Sequence, residues 1–215
     1  MTEKPATRRS RPGETSKLDA TAWTDAALEL LAVNGIDGVR VELLAKQLKV
    51  TKGSFYWHFK DRSALYDSML LNWRRRATLG LIERIDRGEA SPEARLRRLL
   101  QIPVVGRRSA KAADVELAIR LWSRREQRAR QVLEEIDELR LRYIAGLLRE
   151  CGVDESETRP RSILAYSYMR VAGTLIPAAA IELMTNCENL LLGRKATTTA
   201  NTEIKPARRA RALRV

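Results

Sequence analysis

Histidine is nearly missing from this chain, with His58 the single example in 215 residues. Cysteine is almost as scarce, and Cys151 and Cys187 stand far apart with no partners at metal-ligand spacing. A zinc cluster is thereby excluded, and buried small side chains are the expected role of both thiols. No serine or cysteine stands in an arrangement that would make it a nucleophile. Neither an enzyme nor a cofactor is expected. An apolar run of the about 18 residues that a membrane helix requires is also lacking. The best stretch, Val171 to Met184, is interrupted by Pro177 and carries Glu182. The charged N-terminus has no apolar signal segment, so a cytoplasmic location without membrane contact is the expectation. Alternating strand patterns and internal repeats are missing too.

What the chain has in excess is positive charge, +13 in total. Residues 1–17 hold five basic groups against two acidic ones, and residues 194–215 hold seven against Glu203. These ends contribute +3 and +6, which leaves +4 for the body. Basic tails raise the local concentration of a protein at DNA with strong salt dependence. They also serve as solubilising ends. A body of +4 points to no partner.

The periodicity is helical nearly throughout. Trp23, Ala26, Ala27, Leu30 and Leu31 form one stripe, closed near Asn34-Gly35. A short helix over about 41–48 turns Val41, Leu44, Ala45 and Leu48 inward, with Glu42 spaced to pair with Lys46. After a turn at Lys49-Val50 a second short helix covers about 52–58. Asp61 suits the N-cap of a long helix that carries Leu65, Met69 and Trp73 and reaches about 86, with Gly80 as a possible bend. Longer helices follow at about 92–105, 114–123, 126–151, 159–176 and 178–192, the last two divided or kinked by Pro177. The fold class is all-α: a small three-helix unit at 18–60, then a larger helical domain at 61–193.

Two short helices joined by a tight turn and feeding a third make a helix-turn-helix. Its densest part is Val50-Thr-Lys-Gly-Ser-Phe-Tyr-Trp-His-Phe59. Phe55 and Phe59 are four apart and face the core with Leu48 and Val50. Trp57 lies nearly opposite, with Ser54 and Tyr56 beside it. Thr51 is placed to cap the helix, and Gly53 permits close approach to a sugar-phosphate strand. Lys52, Tyr56, His58 and Lys60 suit phosphates, contacts that position a helix without reading sequence. Ser54 and Trp57 suit base edges or thymine methyls. An exposed tryptophan is hard to account for unless something binds it.

The segments Ala26-Ala-Leu-Glu-Leu-Leu31, Asn34-Gly-Ile-Asp-Gly-Val39, Leu44-Ala45 and Val50 to Lys60, followed by Leu65, closely resemble the DNA-binding domain of the TetR family of bacterial transcriptional regulators. The resemblance covers about residues 22–70. It implies that the helix of the decapeptide enters the major groove, with Thr51, Lys52, Ser54, Tyr56, Trp57, His58 and Lys60 on DNA. Two positions depart from the family pattern. Arg40 stands where a capping threonine or serine is usual, and an arginine there can add a phosphate contact instead. Lys49 replaces a usual glycine in the turn, at a cost of about 1 kcal/mol if the left-handed conformation is required.

For the larger domain the resemblance implies a small-molecule effector and a homodimer built from the last two helices. Aromatic and thioether groups among aliphatics, Trp122, Tyr143, Tyr166 and Met169 (with Tyr168), are the expected pocket residues. Ala165, Ala172, Gly173, Ile176, Ala180 and Leu183 are the expected dimer contacts, most of them small enough for close helix approach. Asp114 and Glu116 are expected near a helix start. Glu134, Glu135, Asp137 and Glu138, spaced to pair with Arg130 and Arg142, are expected on a solvated face. The function these expectations describe is a repressor that binds a near-palindromic operator on double-stranded DNA under effector control. Alternatives are an activator of the same family, an effector-free architectural binder that relies on its tails, and a helical enzyme carrying a borrowed DNA-binding unit.

Overall fold

The computed structural model describes residues 19–89, 91–105, 107–177 and 179–195. The expected basic arm at 1–17 lies outside them, as does the C-terminal tail beyond Lys195. Every regular element among the described residues is helical.

Helix α1 (Ala20–Asn34) begins where the Asp19 carboxylate accepts the Ala22 N–H at 2.9 Å and ends at Gly35, whose φ of 67° halts the helix. A 3-10 turn (Ile36–Gly38) leads to α2 (Val41–Leu48). Arg40 occupies the α2 N-cap and makes no side-chain capping bond, as the missing threonine or serine implies. Lys49 closes α2 at φ 57°, ψ 40°, the left-handed conformation that its side chain disfavours. The Val50 N–H reaches back to the Ala45 carbonyl at 2.9 Å, so the turn stays hydrogen-bonded.

The third helix, α3, is shorter than its pattern suggests. It covers Lys52–Tyr56, and Trp57 and His58 complete a turn beyond it. Thr51 sits at the N-cap in an extended conformation but donates and accepts no capping bond through its side chain, contrary to expectation. Asp61 does cap α4 (Arg62–Arg74), its carboxylate accepting the Ala64 N–H at 2.8 Å.

The long helix is interrupted just before Gly80. Residues Arg75–Leu79 form a π-helical turn, and α5 (Gly80–Gly88) continues from it. A Cβ on Gly80 would sit 3.3 Å from the Arg75 carbonyl oxygen, so the bare glycine eases this wide turn. Helix α6 (Pro92–Gln101) starts with Ser91 as cap and Pro92 in the first turn. It stops four residues before the expected end, at a run of turns. Helices α7 (Arg107–Ser123), α8 (Gln127–Glu150), α9 (Glu155–Leu175) and α10 (Ile181–Leu191) complete the body. Pro177 lies in the break between α9 and α10, because proline can supply neither the donor nor the room a helix interior needs. Helix α7 begins seven residues earlier than its apolar spacing suggests, which places Glu116 in mid-helix and not near a start.

Two large cores hold the fold, with a small third cluster of Val104, Ala172 and Met184. The first joins Trp23, Ala27 and Leu31 of α1, Leu44 of α2, Phe55 and Phe59, and Leu65, Met69 and Trp73 of α4. It continues without a break into Ile119 and Trp122 of α7 and Leu133 and Ile136 of α8. The division expected at 60/61 therefore separates sequence patterns and not hydrophobic cores. The second core gathers Ile85 of α5, Leu96, Leu99 and Leu100 of α6, Leu147 and Leu148 of α8, and Ala165 of α9.

Candidate nucleic-acid interface

The first core fixes α3 from below. Phe55 is fully buried and meets the Trp23 ring edge-on at 5.4 Å, while Phe59 stacks on it at 5.4 Å. Such ring pairs add to the area they bury and set an orientation. With both phenylalanines pinned inward, the opposite face must point to solvent. Trp57 is 88% exposed and Tyr56 63% exposed, and Thr51, Lys52, Gly53, His58 and Lys60 are exposed as well. Ser54 is half-buried and Arg40 is exposed. A Cβ on Gly53 would touch only the Thr51 hydroxyl, at 3.7 Å, so nothing inside the chain requires glycine there.

The outward face carries one ion pair. Lys52 Nζ lies 3.0 Å from Glu42 Oε1, across the turn between α2 and α3. Glu42 thus pairs with Lys52, and not with Lys46 one turn along its own helix. A hydrogen bond from the backbone N–H of Glu42 itself, joined by Lys52, holds this carboxyl below its ordinary range.

The expected pocket residues do not converge. Trp122 is in the first core, packed edge-on against Tyr66 at 5.1 Å. Tyr143 and Met169 pack on the second core, and the Tyr143 hydroxyl donates to Asp86 at 2.7 Å. Tyr166 belongs to a polar cluster that links α7, α8 and α9. Its hydroxyl donates to Asp137 at 2.6 Å and accepts from Arg120 and Arg140. Glu116, buried on α7, receives Arg140 Nη1 at 2.9 Å, Arg120 Nη2 at 3.0 Å and a close contact from Arg170. Burial raises the Tyr166 phenol above its ordinary value, with Asp137 reinforcing and Arg140 opposing the shift.

In the acidic run on α8, Glu134, Glu135 and Glu138 are exposed as expected, and Asp137 is the exception. Asp137 is drawn into this cluster, Glu135 pairs with Arg74, and Arg130 donates to the Ser123 carbonyl. Only Arg142 keeps the expected pairing, with Glu138. Both cysteines are free, and burial pushes the Cys151 thiol up to about 11.

The expected dimer contacts divide. Ala165 and Ala172 are buried within the subunit, and Ile176 and Ala180 are half-buried. Gly173 approaches the chain's own Pro103, since a Cβ there would come 2.4 Å from the Pro103 carbonyl oxygen. Leu183 is exposed, in the company of Leu164, Val171 and Leu175 on α9 and Ile181 and Leu190 on α10. Sequence reading missed this row. Its signal was present in the seven- and four-residue intervals of Leu164, Val171 and Leu175, which lie along one helical face.

The profile of the bacterial regulatory proteins of the tetR family matches residues 24–69. The match is confined to this segment, about a fifth of the chain. The class D tetracycline repressor protein of Escherichia coli is 41% identical over 54 residues, a span of 25% of this chain and 25% of that protein. The chain thus matches only about a quarter of the length of its curated relatives. Solved structures extend the likeness to the fold. A transcriptional regulator from Rhodococcus sp. Rha1 superimposes with a TM-score of 0.64 at 16% identity, covering 82% of this chain and 95% of that one. A regulator from Saccharomonospora viridis, solved in complex with choline, gives 0.60 at 19% identity, covering 80% and 92%. At such identities they bear on architecture alone. The tetR-family segment and the α2–α3 face described above coincide.

Proposed function

We propose that this protein is a DNA-binding transcriptional regulator that represses as a homodimer and is released or engaged by a small effector. The observation that carries the reading is the exposure of Trp57 on a helix anchored from behind by Phe55 and Phe59. Each subunit would place α3 in a major groove, two grooves about 34–36 Å apart, which requires a near-palindromic operator. Lys52, Tyr56, His58 and Lys60, with Thr51 and Arg40, would meet phosphates. Ser54 and Trp57 would meet bases, and Gly53 would allow the strand to come close.

The exposed aliphatic row on α9 and α10 supports dimerisation, because a patch of this kind is unfavourable in water unless it is covered. The effector would act through α4 and the π-helical turn, which join the α3 unit to the body. A ligand can shift such an arrangement only by its differential affinity for two conformations.

The experiment is selection of binding sites from random duplexes, followed by titration of the selected operator against salt. Two half-sites about one helical turn apart are expected, with Lys52→Ala lowering affinity for all sequences and the salt slope by about 1. Trp57→Ala is expected to relax base preference while the fold survives. Retention of full affinity and preference by both variants would remove α3 from the interface.

A further inference from the structure

The unit that carries α3 rests on the body through charges as well as through the shared core. At the turn between α7 and α8, Trp122, Arg125 and Arg128 stand three residues apart, and each meets that unit or the start of α4. Trp122 packs edge-on against Tyr66 of α4 at 5.1 Å. Arg125 Nη2 lies 2.8 Å from Asp37 Oδ2 in the 3-10 turn between α1 and α2. Arg128 Nη1 donates to Ser63 Oγ at 2.7 Å and to Asp67 Oδ1 at 3.0 Å, both in the first two turns of α4. Its Nε is steadied by Glu126 at 3.2 Å. Near the start of α7, Lys111 Nζ meets Glu29 Oε1 at 2.6 Å, and the other oxygen of that carboxylate accepts from Gln47 of α2 at 3.1 Å. In these three pairs the base belongs to the body and the acid to α1, the 3-10 turn or α4.

We infer that Arg125 and Arg128 are positioning residues that fix the α3 unit on the body and thereby set the half-site spacing that the dimer accepts. The inference rests on the proposed reading of α3 as the DNA-binding helix of a homodimer. Apolar burial draws α4 and α7 together but is non-directional. Charges in complementary pairs fix register. The acids are exposed, Asp37 at 78% and Asp67 at 67%, so these pairs contribute little to stability and act on orientation. Anchors on three elements also resist rotation, where a single one would act as a pivot. Ser63 lies only four residues beyond Phe59, which stacks on Phe55 of α3, so Arg128 grips the chain directly after the reading helix. The precision matters, because a displacement of α3 by about 3.4 Å is a whole base-pair step.

The first test needs no DNA. Spin labels are attached through Lys46→Cys of α2 and Glu134→Cys of α8, both exposed positions, with Cys151 and Cys187 replaced by serine and labelled chains diluted in unlabelled ones. A narrow distance distribution is expected with both arginines in place, a broader one for Arg125→Gln/Arg128→Gln, and a narrow one again for Arg125→Lys/Arg128→Lys. Salt at about 1 M, which shortens the screening length to about 3 Å, should broaden the first distribution without any substitution at the arginines. An unbroadened double variant overturns the proposal. The second test uses operator duplexes whose half-sites stand one base pair closer or farther apart. That change is expected to cost the wild type about tenfold or more in affinity and the Gln double variant about threefold or less, with binding to a single half-site the same in both. Equal penalties in the two proteins, or an equal loss at the single half-site, overturn the claim on spacing. Failure of Lys52→Ala to weaken binding strikes the reading of α3 itself and leaves the positioning to be judged by the distances alone.

Discussion

Arg140 on α8 reaches into the π-helical turn: its Nε donates to Thr78 Oγ1 at 3.0 Å and its Nη2 to the Ala77 carbonyl at 3.2 Å. The same guanidinium holds Glu116 through Nη1 and lies 5.6 Å over the Trp73 ring. Through Arg140 alone, the polar cluster of α7, α8 and α9 is tied to the one segment that joins α4 to α5.

Removing the two partners of this contact is expected to have unequal effects. Arg140→Met leaves Glu116 with Arg120 and Arg170, and a loss of about 1.5–3 kcal/mol is expected. Glu116→Gln leaves three guanidiniums crowded together with Asp137 as the remaining carboxylate, and a loss of about 3–5 kcal/mol is expected. Urea unfolding of the two variants checks the order, and the reverse order would mean that the cluster is not organised around Glu116.

On the proposed function, Glu42 would compete with DNA for Lys52. Replacing Glu42 by Gln removes a negative charge from the α2–α3 face and frees the lysine, so tighter binding to duplex of any sequence is expected. Both groups are largely exposed, so stability should change little. Titration of a random duplex by fluorescence anisotropy reads the change. Weaker binding would place Glu42 itself among the contacts that favour DNA.

Lys49→Gly should stabilise the fold. The lysine holds φ at 57°, and among described residues it alone does so without being glycine. Glycine tolerates that conformation without the Cβ clash, and a gain of about 0.5–1 kcal/mol is expected. Thermal unfolding measures it. A loss would show that the Lys49 side chain contributes more than its backbone costs.

Gly173→Ala should do the opposite. The added Cβ would be driven to within 2.4 Å of the Pro103 carbonyl, so α9 must move away from the end of α6. A destabilisation of about 1–3 kcal/mol is expected. If assembly size changes while subunit stability does not, the glycine serves the dimer and not the subunit.

Much of this architecture was legible before any coordinates. The intervals of Leu65, Met69 and Trp73, the cap at Asp61, the stop at Gly35 and the inward pair Phe55 and Phe59 depend on neighbours close in sequence, and local pattern carries them. Lys49 was legible through the resemblance, whose usual glycine at that place pointed to the left-handed φ found there. The errors were of another kind. Glu42 finds Lys52 across a turn, Glu116 is buried among arginines from three helices, and Gly173 lies against the Pro103 carbonyl. Each depends on contacts between elements whose relative placement no local spacing encodes. The shortened α3 has no such explanation: it ends at Tyr56 although the Phe59 N–H still bonds the Phe55 carbonyl at 3.0 Å.

The π-helical turn of Arg75–Leu79 acts as a phase shifter. An extra residue in one turn rotates all that follows by about 100° relative to an uninterrupted helix. Before it, Leu65, Met69 and Trp73 face the core that holds α3, and after it, Ile85 faces the core that holds α6 and α9. One nearly continuous rod thus serves two interiors that do not lie on the same side of it. A transition between α and π geometry there would turn one end against the other like a key in a lock, and Arg140 is the hand on that key.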